Sequence, residues 1–186
     1  MLSRRSLLAA TGAGLVTSFV GRSQATVMRP LSLPELVQAS HHIVVAKALE
    51  GYSRWETVAG RKRIVTYTRL GIEESVALAR TDSEVLVRTL GGNVGDIGQV
   101  VHGEAMLVVG QRSLAFLIRR DDTSLGITAM SQGHYPMRPD AKGLLRLSAS
   151  PRLAELFGAN NSAAVTRLVG RTPAEAKKLV IEAARR

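Results

Sequence analysis

Residues 113–119 read "SLAFLIR". On an extended chain successive side chains point to opposite faces, so Leu114, Phe116 and Ile118 line one face while Ala115 and Leu117 occupy the other. Both faces are apolar, whereas a strand with one solvated face shows alternation. This strand is therefore expected to be buried on both sides. A small closed barrel with a helix laid against it meets that requirement better than a single open sheet.

Working outward, the chain between Ile43 and Arg138 reads as a series of short strands. They are "HIVVAKAL", "RIVTYTRLGIEE", "EVLVRTL", "EAMLVV", "SLAFLIRR" and "LGITAMSQGHY", rich in Val, Ile, Leu and Thr and separated by Gly, Asp and Asn. The spacing predicts a small antiparallel β-barrel over 26–140, bracketed by helices: mainly β, in the α+β class. Before it, "SLPELVQAS" has Ser32 followed three positions later by Glu35, the signature of a capping box and a short helix. After it, Ser150 and Pro151 are expected to open one helix in "SPRLAELF", and Thr172, Pro173 and Glu175 another in "TPAEAKKLVIEAARR". In the last, Ala176, Leu179, Val180 and Ala183 recur on one face, opposite Lys177, Lys178, Glu182 and Arg186. That stripe docks either on the barrel or on a partner.

Net charge is distributed unevenly. Of 25 basic residues against 15 acidic ones, 13 and 12 fall within residues 26–140, whereas residues 141–186 carry 9 against 3. The segment 141–186 thus reads as a basic helical C-terminal extension. Its face is either a solubilising surface or one attracted to an anionic envelope polymer or membrane.

The opening, "MLSRRSLLAATGAGLVTSFVGRSQA", has a basic start, an apolar middle and a small-residue end, the three parts of an export signal in order. Its apolar run from Leu7 to Val20 is shorter than the roughly 20 residues a spanning helix needs and is diluted by Thr, Gly and Ser, which argues against an anchor. Arg4 and Arg5 within "SRRSLL" resemble the twin-arginine signal read by the translocase of folded proteins; the alternative is an ordinary secretory signal with paired arginines. Processing after Ala25 is expected, giving a periplasmic or secreted chain. Specific nucleic-acid binding is disfavoured, because export removes the usual ligand. With no cysteine in the sequence, disulfides, thiolate metal sites and iron–sulfur or blue-copper centres are excluded. No cofactor is expected.

Candidate site residues are sparse. In "LGGNVGDIGQVVHGE", Gly92, Gly95 and Gly98 lack the Gly-Lys-Ser/Thr ending and following helix of a phosphate cradle. They are expected to supply positive φ or close backbone approach in a long inter-strand loop. Asn93 and Asp96 there offer oxygen ligands to a hard cation. Trp55, the single tryptophan, follows Tyr52 and Arg54 in an expected loop between the first two strands; it serves as a stacking platform for a ligand or as a plug over the barrel end. Among the four histidines, His41 and His42 are neighbours and face apart. His102, Glu104 and His134 form the one candidate metal set, with alternate residues of a strand sharing a face. Glu73 and Glu74 also face apart, and no G-x-S-x-G stretch exists in the sequence.

Across residues 31–140, "LPELVQASHHIVVAKALEGYSRWE", "GRKRIVTYTRLGIEESV", "VLVRTLGGNVGDIGQVVHGEAMLVVGQRSLAFL" and "MSQGHYPM" resemble a group of uncharacterised exported bacterial proteins. That group has a predicted barrel of the oligonucleotide/oligosaccharide-binding (OB) type, similar in shape to netrin-like and metalloprotease-inhibitor domains. The resemblance implies the shape and no settled activity; the inhibitor mechanism needs an N-terminal cysteine that this chain lacks. The expected function is a non-enzymatic binding or accessory module of the cell envelope, partnered by the translocase through its signal and by an envelope protein or anionic polymer. The alternative is a metal-assisted envelope hydrolase using His102, Glu104 and His134.

Overall fold

The computed structural model describes residues 29–157 and 163–185. The signal read from Arg4 and Arg5, its cleavage at Ala25 and the placement of Arg186 lie outside the described residues.

The chain is mainly β, with helices at both ends of the sheet region. Helix α1 (Leu33–Gln38) leads into β1 (His42–Val58), β2 (Arg61–Leu78), β3 (Glu84–Leu90), the small hairpin β4 (Gly92–Val94) and β5 (Ile97–Gln99), then β6 (Arg112–Arg119) and β7 (Leu125–Ile127). A 3-10 turn (Met130–Gly133) precedes β8 (His134–Pro139), β9 (Leu145–Leu147), α2 (Ala154–Phe157), α3 (Ala163–Leu168) and α4 (Pro173–Ala184). Strand β1 pairs with β2 along its whole length and, through His42 to Lys47, also with β6. Following the pairings β1–β2–β3–β7–β6 therefore leads back to β1. The closing link is thin, because β3 meets β7 in the single bridge Val87 to Leu125, and that bridge is parallel where an all-antiparallel sheet was expected. Beyond the ring, β8 shares the other edge of β6 with β7, and β9 pairs with β8.

Register shifts in the β1–β2 ladder at Ile43/Val44, Val45/Ala46 and Ala48/Glu50 bend β1. The bend lets its first half serve two neighbours while its second half runs on as a hairpin arm. "EAMLVV" forms no strand: residues 104–109 make no ladder, Glu104 and Ala105 are buried, and Met106, Val108 and Val109 are exposed. Local β-propensity does not decide the conformation there.

The double-sided burial of "SLAFLIR" is realised as two cores separated by β1 and β6. Ala115 and Leu117 join Val44, Ala46, Leu70, Val87 and Ile127 inside the ring. Leu114 and Phe116 join Ile43, Val45, Tyr135 and Leu147 in an outer core completed by Leu36 of α1, Leu168 of α3 and Ala176 and Val180 of α4. The helical stripe of α4 thus docks on the sheet, with Leu179 half-buried at its margin. The step in charge at Ala141 does not mark a break in packing, since β9, α3 and α4 finish a core that begins at Leu33. Complete burial of Leu168 and Val180 contributes about 1.5–3 kcal/mol each relative to exposure. Helices this short are marginal alone, so packing sets their position.

Both capping boxes form: Ser32 and Thr172 each accept from the amide three residues on, and Glu35 and Glu175 reach back to the cap amides. Ser150 does not cap. Its hydroxyl is turned inward to His134 at 3.2 Å, and a turn over 151–153 intervenes before α2 begins at Ala154.

Candidate ligand-binding groove

Past Ala48 the inner face of the ring changes chemistry. On β2 the inward positions Leu70, Thr68 and Thr66 pass from apolar to hydroxyl, matched by Thr89 on β3 and Ser53 on β1. The chain leaving β3 then folds the β4–β5 hairpin across this face. Gly91 N donates to Ile64 O at 2.8 Å, and Gln99 Oε1 accepts from Ile64 N at 2.6 Å, which satisfies the edge of β2 where β3 has ended. Gly92 crosses with φ +125, and a Cβ there would fall on the Thr66 and Ser53 hydroxyls. The glycine-rich loop thus supplies close approach, and its phosphate-cradle appearance has no structural counterpart.

Between hairpin and sheet lies a groove of about 520 Å³, lined by Ser53, Thr66, Thr68, Thr89, Asn93 and Gln99, with Leu90, Ala105, Met106 and Leu107 among its apolar walls. Thr66 donates its one hydroxyl proton to Gly91 O at 2.6 Å, so Ser53, 2.8 Å away, is the donor in their mutual bond. Arg152, from the segment before α2, is the one charged residue among the described residues lining the groove.

Sequence expectation and structure part company over the aromatic segment. Tyr52, Arg54 and Trp55 lie within β1, not in a loop, because the β1–β2 turn is only Ala59 and Gly60. Tyr52 borders the groove and stacks on Tyr67 with centroids 5.4 Å apart. Arg54, on the outer face with Tyr52, packs its guanidinium 4.9 Å from the Tyr67 ring centroid and donates to Glu56 at 2.7 Å. Glu56 also accepts from Tyr67 Oη at 2.8 Å and from Arg88 Nη2 at 3.1 Å. Burial pushes the Glu56 carboxyl up, but these three donors outweigh it and hold it below the usual carboxylate range. Trp55 faces the other way and is 36% exposed, with Lys62 Nζ 5.2 Å from its ring centroid; it does not plug the ring. Asn93 lines the groove, while Asp96 is exposed at the turn of the β4–β5 hairpin.

The candidate metal set is not assembled. His102 and Glu104 lie on an irregular segment, which removes the shared face that a strand would have given them. His102 is 83% exposed and stands 3.5 Å from Glu155. Glu104 is buried and accepts from the amides of Leu90 and its own neighbour Ala105; desolvation raises its pKa. His134 is buried against Ser150, and burial alone lowers its pKa to about 4. Among the described residues no group of three or more His, Asp or Glu is placed to hold a metal ion. Glu73 and Glu74 face apart as expected, one to Arg112 and the other to Lys177 of α4.

Sequence reasoning did not find Ser53, Thr66, Thr68, Thr89, Gln99 or Arg152. The alternation Thr66, Thr68, Leu70 was the one available signal, since it places hydroxyls in line with a core residue. No protein-family model matches the chain, and no curated protein matches its sequence. No described helix is long and apolar enough to cross a membrane.

Proposed function

We propose that this chain is an exported, non-enzymatic binding module of the cell envelope, built on an OB-like barrel and taking a neutral, hydroxyl-rich ligand such as a glycan segment in the groove between β1–β2–β3 and the β4–β5 hairpin. The shape is supported by the circuit β1–β2–β3–β7–β6–β1 with its parallel β3–β7 bridge. Export is supported by the order of basic, apolar and small residues in 1–25 and by Arg4 and Arg5.

One observation carries the ligand reading: the groove wall is made of hydroxyl and amide groups with a single cation, so it offers hydrogen bonds and apolar contact without a pair of groups poised for proton transfer. Its test is amide chemical-shift mapping with soluble neutral envelope glycan fragments. Shifts centred on Ser53, Thr66, Thr89 and Asn93, weakened in Thr89→Val, support the reading; a panel that leaves these amides unmoved refutes it. Export is tested by replacing both Arg4 and Arg5 with lysine. Retention of the variant in the cytoplasm supports the twin-arginine route, and unchanged secretion excludes it.

A further inference from the structure

The β1–β2 ladder continues to the pair Val58 and Arg61, whereas β3 stops pairing with β2 at Val65. At about 3.4 Å per residue, the arm extends roughly 14 Å past the third strand. Its turn is tight, with Ala59 and Gly60 both at positive φ, the two-residue geometry that matches strand twist and makes a stiff hairpin.

Three consecutive cations, Arg61, Lys62 and Arg63, stand at this end, and no ion pair forms to any of them among the described residues. Three other arginines of the sheet are, by contrast, neutralised: Arg69 by Glu50 and Glu84, Arg88 by Glu56, Arg112 by Glu73. Glu56, the one carboxylate of the arm, is already engaged by Arg54 and Arg88. The end of the finger therefore projects an uncompensated positive field. Trp55 adds an exposed indole, with Val58 and Ala59 at the turn.

We propose that this finger docks the protein on a bilayer surface rich in anionic phospholipid. Trp55 settles at headgroup level, where amphipathic rings concentrate, while Arg61, Lys62 and Arg63 meet the phosphates. The aromatic geometry favours a membrane over a base-stacking ligand. Lys62 lies over the Trp55 ring, and Tyr67 already has Tyr52 stacked on it and the Arg54 guanidinium close by. The docking surface is separate from the groove, so either proposal stands if the other fails.

Trp55 is the single tryptophan, so its emission reports the finger in the intact chain. Full-length protein is titrated with vesicles of phosphatidylcholine alone and of phosphatidylcholine with one-third phosphatidylglycerol. The expected result is a blue shift with the anionic vesicles only, reversed by high salt. In the triple variant Arg61→Ala, Lys62→Ala, Arg63→Ala, binding falls about a hundredfold, from roughly fivefold per cation. A Lys62→Gln variant, which leaves the rest of the arm intact, falls about fivefold. Lys178→Glu with Arg185→Glu on α4 leaves the blue shift in place. The proposal is overturned if the triple variant, with an unchanged melting curve, binds as the parent does. It is equally overturned if neutral vesicles, or soluble polyphosphate or nucleic acid at equal phosphate, shift the emission as much as anionic vesicles do.

Discussion

Acidification from pH 7 to pH 4.5 is expected to destabilise the fold through His134. The imidazole sits in β8, 1% exposed, with the Ser150 hydroxyl as its hydrogen-bond partner at 3.2 Å. Burial disfavours the imidazolium and lowers its pKa from 6.5 to about 4 in the folded chain. Between these values the unfolded chain binds the proton and the folded chain does not, so the contribution of His134 is complete above pH 6.5 and is lost as pH falls towards 4. Integrating between pH 7 and pH 4.5 gives a loss of roughly 2–3 kcal/mol. At this chain length that corresponds to a melting temperature lower by about 5–10 °C. Glu104 acts in the opposite sense. Its raised pKa makes the folded chain retain a proton that the unfolded chain has released, so its contribution weakens as pH rises through that window and partly masks the slope in the parent. The informative quantity is therefore the difference between parent and His134→Gln, each melted in urea at both pH values. The variant, which cannot titrate, should lose about 2–3 kcal/mol less than the parent on acidification. Equal losses in the two proteins would refute the assignment of this pH dependence to a neutral buried imidazole.

Three further outcomes test the packing and the polar network. Gly92→Ala, which combines φ +125 with a Cβ set against the Ser53 and Thr66 hydroxyls, should cost about 1–3 kcal/mol in urea unfolding, whereas Gly95→Ala, with φ +58 and open space, should cost about 1 kcal/mol or less. Leu168→Ala in α3, fully buried, should destabilise the chain by about 2–5 kcal/mol; because α3 shares a core with β1 and β6, Trp55 emission and far-ultraviolet circular dichroism should shift together in a single transition. Glu56→Ala leaves the Arg88 guanidinium, 8% exposed, without its carboxylate and should cost about 2 kcal/mol, less than a fully buried pair because Glu56 keeps 18% exposure. A thermodynamic cycle with Arg88→Ala should recover a coupling of about 1 kcal/mol or more.

Elements whose signals are local were legible in the sequence, and those that depend on distant partners were not. The two capping boxes were readable because each involves residues three positions apart, as were the apolar stripe of α4 and the two faces of residues 113–119, because periodicity survives whatever packs against it. The separation of Glu73 from Glu74 followed from strand geometry alone. Tertiary structure decided that "EAMLVV" would form no strand, that Ser150 would turn inward to His134 instead of capping, and that His102, Glu104 and His134 would part. It also decided that residues after Ala141 complete the outer core, since apolar side chains are buried by whatever surface remains open when the sheet has formed. The groove belongs to the same class: Ser53, Thr66, Thr89 and Arg152 are far apart in the chain, and only the bend of β1 and the fold-over of β4–β5 bring them to one wall. Sequence sets what each segment is able to bury; the competition among segments for the same partners settles what each one meets.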